Sequence, residues 1–496
     1  MHMQKFLSTL IAALCPFIVF ASGNFDFNPA CLKAYNHLMA LQNEEANTIL
    51  QSERLQHPQN LIPVTIADYG DCLYLLFNGD PSDFSALAPN EHKRIALLEE
   101  GDPKSPWYRF SKANIYLHWA LIHLRFGEQV KAASAFRKSF LLLKENAKLF
   151  PHFAENKVLL GLEEALAGAI PEQYQWISSL FGVKGNIQTG IEAIAHYLKN
   201  NAPESSPLYE EAMIYYVYTQ FYLANEQETA WRFLKGAQYN EQNNLLRCFI
   251  KANLALNYRK ATTAYSILQH ASTLKQYPYY PIMHYEMAEA LLYQLNFNCL
   301  SHYQKFVRTF KGLHFIKDAW LKMAWVKHLQ LQTKEEEDCL LQVKNKGNSV
   351  TDADKQAYRF AEKPLWPLNS LMIVRLQIDG GLYTEALSSM EHINKKDLQS
   401  IEHVLEYNFR YGRIFEELGK ADKALLFYNA TIAEGRTSKA YFAARAALQK
   451  GFIFEKAHNK ESAISAFRDC LSMRHHDAQS SIDQLAKAGL NRLGAE

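Results

Sequence analysis

The stretch that decides the fold runs from Leu405 to Ala433 and reads LEYNFRYGRIFEELGKADKALLFYNATIA. Its apolar residues recur at three- and four-residue spacing, which is the period of an amphipathic helix. Gly412 leaves room for a second helix to approach closely, and Gly419 is typical of the residue that ends a helix. Ala424 and Tyr428 then follow four residues apart, on one face of a second helix. The stretch therefore predicts two helices joined by a short turn.

The same order of residues returns between Ala444 and Met473, where the sequence reads ARAALQKGFIFEKAHNKESAISAFRDCLSM. Gly451 lies 39 residues after Gly412, and Ala463 and Phe467 again follow four residues apart. An alanine at the crossing point lets two helices approach, and an aromatic ring one turn later fills the space beside it. One such hairpin cannot bury its apolar face alone, so we expect stacked copies with a continuous core.

This ordered series of glycine, aromatic and alanine residues resembles the tetratricopeptide repeat, a helix–turn–helix unit of about 34 residues. The resemblance implies an all-α fold, an α-solenoid of stacked helix-turn-helix (TPR-like) hairpins. Looser copies of the pattern occur at residues 113–139, 211–237, 242–268 and 371–390. The repeats are therefore expected to cover most of the chain, with two clear copies at its end.

The sequence predicts four parts. Residues 1–23 are a signal peptide, 24–100 an N-terminal helical cap, 101–400 divergent TPR-like repeats, and 401–496 C-terminal TPR repeats with a closing helix. Within the cap, residues 25–50 predict a helical hairpin, whose first helix opens at Asn28 and Pro29. Residues 478–493 predict the closing helix.

Composition excludes several classes of protein. The chain has 496 residues, of which 48% are hydrophobic and 21% charged, and its formal net charge is +2. A disordered or collagen-like chain does not have this composition. The near-zero charge gives no electrostatic basis for binding nucleic acid. The 27 Tyr, 29 Phe and 7 Trp need burial sites, which stacked hairpins supply.

The amino terminus indicates export. Lys5 precedes an apolar run from Phe6 to Phe20, and small residues follow at positions 21–23, as in a secretory signal peptide. The predicted location is the periplasm or cell envelope. No later apolar run is long enough to predict a transmembrane segment in the mature chain. The sequence leaves two possibilities open for the cysteines of the mature chain: a disulfide between Cys31 and Cys72, or buried free thiols.

No motif of established chemistry is present in the sequence. It has no phosphate-binding P-loop, no G-x-S-x-G nucleophile elbow and no H-E-x-x-H zinc helix. Glu455 and His458 have the E-x-x-H spacing of di-iron bundles, but those bundles need two copies. The adjacent His475 and His476 would diverge on a helix. We therefore predict no catalytic residue, no metal site, no cofactor and no enzymatic activity.

The resemblance also implies where a partner would bind. In tetratricopeptide arrays the second, fifth, ninth and twelfth positions of each first helix line a concave groove. The groove residues predicted in this way are Tyr215, Thr219, Tyr222, Glu406, Phe409, Arg413, Glu416, Arg445, Phe452 and Glu455. Their mixed aromatic and charged character suits an extended peptide or a helix. The Lys and Asn pattern with which some members clamp a terminal carboxylate is absent.

These observations predict an exported scaffold or binding protein with a protein or peptide partner, no nucleic acid and no catalysis. The alternative is a helical surface protein that captures glycans or nutrients, an analogy with secreted helical-repeat proteins. A third hypothesis is a helical-toroid lyase or hydrolase, which requires Tyr, His and carboxylate groups that converge at a cavity. The sequence predicts neither the identity of the partner nor the oligomeric state.

Overall fold

A computed structural model describes residues 23–170 and 184–495 of the chain. In these ranges the secondary structure is helical apart from two isolated β-bridges, one joining Gly23 to Gly101 and the other Asn24 to Asn60. The predicted signal peptide, except for Gly23, lies outside the described residues. The described residues form two compact units, which divide between Leu246 and Arg247. The domain boundaries predicted at residues 100 and 400 stay predictions.

The helices of the first unit pack as neighbouring pairs joined by turns. In chain order they are α1 Pro29–Leu38, α2 Asn43–Gln56, α3 Ile62–Asn78, α4 Pro81–Leu87, α5 Pro89–Glu99, α6 Pro106–Arg125, α7 Gln129–Leu149, α8 Asn156–Gly168, α9 Ile187–Asn200, α10 Tyr209–Tyr218 and α11 Gln227–Leu234. A π-helical turn, Thr219–Leu223, follows α10 directly.

The second unit continues the same arrangement. Its helices are α12 Leu245–Asn257, which begins at the end of the first unit, α13 Ala261–Ala271, α14 Ile282–Leu292, α15 Cys299–Thr309, α16 Ile316–Leu329, α17 Thr333–Asn345, α18 Asp352–Glu362, α19 Asn369–Gly380, α20 Tyr383–Glu391, α21 Ile401–Glu417, α22 Ala421–Gly435, α23 Phe442–Lys456, α24 Lys460–Ser472 and α25 Gln479–Arg492. The predicted all-α fold of stacked helix–turn–helix hairpins is confirmed.

Local sequence signals account for the start of the described array. The side chain of Asn28 accepts a hydrogen bond from the backbone N–H of Cys31 at 2.9 Å, and Pro29 occupies the first position of α1. An asparagine cap followed by proline satisfies and pre-organises a helix start. The predicted hairpin of α1 and α2 is therefore confirmed, and α25 is the predicted closing helix.

The turns inside the hairpins share one backbone conformation. In nine turns of the described residues, a residue just after the first helix is left-handed, with φ between +53° and +79°. These residues are Leu41, Gly127, Asn225, Arg259, Leu295, Leu331, Gly381, Gly419 and His458. In eight of the nine turns the next backbone N–H donates to the carbonyl oxygen five residues earlier, at 2.8 or 2.9 Å. This is the Schellman motif, which satisfies the last carbonyl groups of a helix.

The turns are regular even where the sequence repeat is faint. The left-handed residues at positions 225, 259, 295 and 331 follow one another at intervals of 34 to 36 residues. Three of the nine are glycines, and the other six carry side chains in a conformation that costs about 1–2 kcal/mol for a residue other than glycine. The hairpins therefore repeat in their backbone although their turn residues vary.

The glycines of the two clear repeats lie against aromatic rings. A Cβ atom at Gly412 would lie 2.4 Å from the Tyr428 ring, and one at Gly451 would lie 2.3 Å from the Phe467 ring. Both rings, and the alanines four residues before them, are fully buried in one shared core. The predicted close crossing of the two helices is confirmed in both hairpins.

The cysteines of the described residues are free and buried. This includes Cys31 and Cys72, for which the sequence left a disulfide open. The pKa of the Cys31 thiol is raised to about 12. Burial is the largest cause, and the nearby Glu53 carboxylate raises the pKa further. A thiol of high pKa holds little of the reactive thiolate. These cysteines fill the core as small apolar side chains.

Candidate functional site

The ten predicted groove residues divide between the two units and differ in exposure. Four are buried: Thr219, Glu406, Phe409 and Arg413. Five are half-buried: Tyr215, Glu416, Arg445, Phe452 and Glu455. Tyr222 is exposed. The structure brings together those of the second unit, because α21 and α23 pack against each other.

The buried members of this set contact their own unit. The hydroxyl of Thr219 donates to the carbonyl oxygen of Tyr215 at 2.7 Å. The ring of Phe409 packs against that of Phe442 with centroids 5.7 Å apart, in the core that α21 shares with α23. These two side chains serve the fold in this structure, and a role in binding stays a prediction for them.

Polar side chains meet at the centre of the first unit. Asp68 on α3 is fully buried and accepts hydrogen bonds from Arg94 and His118, each at 2.7 Å. The indole N–H of Trp119 donates to the same carboxylate at 3.2 Å. Ionised groups that leave water need such partners, because an unpaired buried charge costs several kcal/mol. Asp68 therefore joins α3 to α5 and α6.

Glu211 on α10 joins these polar groups from the other end of the unit. Its carboxylate accepts hydrogen bonds from the hydroxyls of Tyr69 and Tyr215, and its backbone N–H donates to the hydroxyl of Tyr35 at 3.3 Å. Burial raises the pKa of Glu211 above its ordinary value, and the hydrogen bonds from Tyr215 and Tyr69 oppose this rise. We call Asp68, Tyr69, Arg94, His118 and Glu211 the first polar centre.

A second polar centre lies in the second unit and consists of Tyr285, Glu289, Tyr303, Asp318 and Lys322. The ammonium group of Lys322 lies 2.6 Å from Glu289 and 2.8 Å from Asp318. The hydroxyls of Tyr285 and Tyr303 donate to these two carboxylates. Burial acts to lower the pKa of Lys322, but the carboxylates outweigh it and hold the pKa above its ordinary value.

In the second unit, helices that are distant in the sequence pack against one another. Every residue of α14 is buried. Arg259, just after α12, donates to Glu417 at the end of α21 at 2.6 Å, although 158 residues separate them. The backbone of Arg259 also blocks the space beside Gly381 at the end of α19. The ends of α12, α19 and α21 therefore lie close together in this unit.

The polar centres contain residue types of acid–base chemistry but bury them. Asp68, His118 and Glu211 are each at most 2% exposed. A surface cavity of about 620 Å³ is lined by Lys450, Phe454, Asp469 and neighbouring residues, none of them part of a polar centre. This cavity therefore does not bring together the Tyr, His and carboxylate groups that the enzyme hypothesis requires. That the protein has no catalytic activity stays a prediction.

Two further properties of residues 23–170 and 184–495 bear on function. No group of three or more His, Cys, Asp or Glu side chains there is arranged to hold a metal ion. No helix in these ranges combines the length and the apolar character needed to cross a bilayer. The predictions of no metal and no cofactor stay predictions.

Arginine side chains gather beside the predicted groove residues at the end of α21. Arg413 donates to Glu416 at 2.7 Å and to Glu417 at 2.6 Å. Arg259 donates to the same Glu417 carboxylate at 2.6 Å. The hydroxyl of Tyr428 donates to Glu416. Both carboxylates are therefore engaged by groups of their own unit.

Arg445 on α23 is the exception in this group. It is half-buried, and among the described residues its guanidinium has no ion pair or hydrogen bond. Burial lowers the pKa of Arg445, and the positive charges of Arg413 and Arg259 lower it further. We call Arg259, Arg413 and Arg445 the arginine cluster. Sequence reasoning selected Arg413 and Arg445 but missed Arg259, because it lies in a turn outside the predicted groove positions.

The remaining half-buried groove residues of the second unit are held in place by neighbours. The ring of Phe452 meets that of Phe467 edge-on, with centroids 5.5 Å apart. The carboxylate of Glu455 accepts two hydrogen bonds from Arg492, at 2.8 and 2.7 Å. Both side chains are thus fixed on α23 while part of each still faces solvent.

Comparison with known proteins adds structural resemblance only. No family model and no curated protein sequence matches the chain. The match to a crystal structure of the P58(IPK) TPR domain covers 83% of this chain and 96% of the P58(IPK) chain. The two are 14% identical in sequence, and the TM-score is 0.21. The human IFIT1 dimer with PPP-AAAA covers 82% and 89%, with 16% identity and a TM-score of 0.36. The APC/C hetero-tetramer Cut9-Hcn1 covers 93% and 90%, with 12% identity and a TM-score of 0.22. No conclusion about a ligand or a partner follows from similarity this low.

Proposed function

We propose that the chain is an exported, non-catalytic binding protein of TPR-like architecture that holds a protein or peptide partner on the surface of α21 and α23. The observation that carries the proposal is the set of partly exposed side chains Glu416, Arg445, Phe452 and Glu455 on two helices that pack against each other. A surface that combines aromatic and charged side chains suits an extended peptide or a helix.

Photo-crosslinking from this surface tests the proposal. A benzophenone amino acid replaces Phe452 in one variant and Leu426 in a control variant. Leu426 is 66% exposed but lies on α22, the second helix of its hairpin. Both variants are added to a native envelope extract and irradiated. We expect a distinct crosslinked partner from position 452 that is absent from position 426. Equal crosslinking from both positions, or none from position 452, would contradict the proposal.

Export is the second part of the proposal and rests on the first 23 residues. Cell fractionation of the full chain, compared with a chain that lacks residues 2–23, measures it directly. We expect the full chain in the envelope fraction with a new amino terminus near residue 22 or 24, and the truncated chain in the cytoplasm. Recovery of the full chain from the cytoplasm with its first residues intact would contradict export.

Glycan capture is the alternative function, and one observation favours it. The rings of Tyr218 and Tyr222 stack with centroids 5.8 Å apart and planes at 14°, and Tyr222 is 49% exposed. Another stacked pair, Tyr411 and Phe427 with centroids 4.7 Å apart, is less exposed, since both of its rings are partly buried against the core of the last hairpins. Calorimetric titration with oligosaccharides, repeated with the Tyr222→Ala variant, tests this alternative. Binding that disappears in the variant would support glycan capture.

A further inference from the structure

The surface cavity of about 620 Å³ in the second unit is lined by the two helices of the last hairpin. Lys450 and Phe454 line it from α23, and they lie four residues apart on one face of that helix. Ser462, Ser465 and Asp469 line it from α24. Its volume falls in the range of about 300–1,000 Å³ that is typical of sites for small ligands.

The charges in and beside this cavity balance. Asp469 pairs with Arg436 at 2.7 Å. The ammonium group of Lys450 donates to the side-chain oxygen of Asn429 at 2.6 Å, which leaves two of its three N–H donors. Glu461, which also lines the cavity, is the second anionic side chain beside the two cationic ones. The cavity therefore has no surplus charge with which to select an ionic ligand.

Several groups that line the cavity are not engaged by the protein itself. Within residues 23–170 and 184–495, the hydroxyls of Ser462 and Ser465 have no hydrogen bond. Each serine hydroxyl can donate one hydrogen bond and accept two. The ring of Phe454 is partly exposed and packs against the core of the last hairpins, which holds it in place. The cavity thus combines free hydroxyl groups, ammonium donors and a fixed aromatic ring.

We propose that this cavity binds a neutral saccharide, with Lys450, Ser462 and Ser465 hydrogen-bonded to its hydroxyl groups and the Phe454 ring against its apolar C–H face. A saccharide has hydroxyl groups that both donate and accept, no net charge and an apolar ring face. These properties match the free groups of the cavity. A polyanion would instead meet the carboxylates of Asp469 and Glu461.

The inference goes beyond the proposed function and does not rest on it. Phe452, which belongs to the surface proposed for the protein partner, is two residues from both Lys450 and Phe454. Successive helical residues are about 100° apart, so Phe452 lies on nearly the opposite side of α23. Tyr222, the residue of the alternative glycan site, lies in the first unit. The cavity is therefore a separate site.

The test measures saccharide binding by the full mature chain. An array of immobilised neutral oligosaccharides of glucose, galactose, mannose, xylose and N-acetylglucosamine selects the saccharide that binds most tightly. Calorimetric titration with that saccharide free in solution then measures its Kd. The site variants are Ser465→Ala and Phe454→Ala. Ser266→Ala is the matched control, because Ser266 is also an exposed serine within a helix and does not line the cavity.

We expect the wild type and the Ser266→Ala control to bind the selected saccharide with the same Kd. Ser465→Ala should weaken binding about threefold to tenfold, the effect of one lost hydrogen bond. Phe454→Ala should weaken it about tenfold, because it removes the apolar contact of a whole ring. Binding should not change as salt is added, since the ligand is neutral. Thermal unfolding checks that each variant keeps its fold, and Ser465→Ala alters only an exposed side chain.

Four results would overturn the inference. They are no binding to any saccharide of the array, equal binding by the wild type and both site variants, binding that is lost only in Tyr222→Ala, and site variants that weaken binding of a peptide instead of a saccharide. Failure here is distinguishable from failure of the proposed function. A partner crosslinked at position 452 without any saccharide binding would leave the proposed function standing and remove the saccharide site.

Discussion

At the residue scale, a glycine and an aromatic ring set the distance between helices in the last two hairpins. The Tyr428 ring lies where a Cβ atom of residue 412 would be, and its hydroxyl is tied to Glu416. The ring therefore cannot swing away without breaking a hydrogen bond. Gly451 and Phe467 repeat the arrangement one hairpin later. Such contacts leave little tolerance for an added methyl group.

We predict that Gly412→Ala lowers the free energy of unfolding by about 1–3 kcal/mol, because the new methyl group overpacks the crossing. Gly70→Ala is the control, since its Cβ would lie 3.5 Å from Leu38, an ordinary contact. Alanine in a helix is favoured over glycine by about 1 kcal/mol, so the control should be neutral or stabilising. Urea unfolding measures both. Equal effects of the two changes would argue against the close crossing.

A second residue-scale prediction concerns Lys322 in the second polar centre. Lys322→Met leaves Glu289 and Asp318 buried without their cation, and we expect a loss of about 3–5 kcal/mol of stability. Lys355→Met removes a surface pair with Asp352 instead, and should change stability by less than about 1 kcal/mol. Denaturant unfolding of the two variants compares them. A similar small effect in both would show that the buried network contributes little.

At the element scale, the repeated turn explains how divergent sequences build the same hairpin. The backbone needs a left-handed residue after the first helix, and glycine adopts this conformation without a steric cost. Gly419 has that role in a clear repeat, whereas His458 has it in the next one. The turn is held mainly by backbone hydrogen bonds. Residues other than glycine can therefore occupy its left-handed position at a moderate cost in stability.

Leu331→Gly should therefore stabilise the protein. Leu331 is 79% exposed and has φ of +59°, so its side chain contributes little packing and strains the turn. We expect a gain of about 1 kcal/mol. Leu341→Gly, at an exposed position inside α17, should instead lose about 1 kcal/mol because glycine weakens a helix interior. Opposite shifts of the melting temperature are the expected signature, and shifts of the same sign would contradict it.

At the scale of the whole molecule, each unit closes around polar groups, and this gives stability a dependence on pH. Glu286 on α14 is buried, and burial raises its pKa to about 7. Asn253 donates to its carboxylate at 3.0 Å, the negative Glu289 raises the pKa further, and Lys322 lowers it. The folded state thus binds this proton more tightly than the unfolded chain does.

The contribution of Glu286 should be complete below pH about 4.5 and should be lost as pH rises toward about 7. The expected loss is roughly 3 kcal/mol. Glu286→Gln keeps the shape of the side chain and removes its proton, so stability between pH 5 and pH 8 should vary less than in the wild type. Glu385→Gln, at an exposed position on α20, is the control. Identical pH profiles of wild type and Glu286→Gln would refute the prediction.

Much of the fold follows from the sequence alone. The three- and four-residue period and the order of Gly412, Ala424 and Tyr428 predict helices, hairpins and the residues at the crossing, because these depend on neighbours within one hairpin. The cap at Asn28 and Pro29 is equally local. The sequence pattern of the middle hairpins is weaker, since six of the nine left-handed turn residues are not glycine.

Only the tertiary structure decided which predicted groove residues face solvent. Glu211 meets Tyr69 across 142 residues and Tyr35 across 176, and Arg259 meets Glu417 across 158. Contacts between residues so far apart depend on how successive hairpins stack on one another. The sequence of a single repeat does not specify that stacking. Arg413 is buried with its glutamates, whereas Arg445 is partly exposed and has no ion pair or hydrogen bond among the described residues.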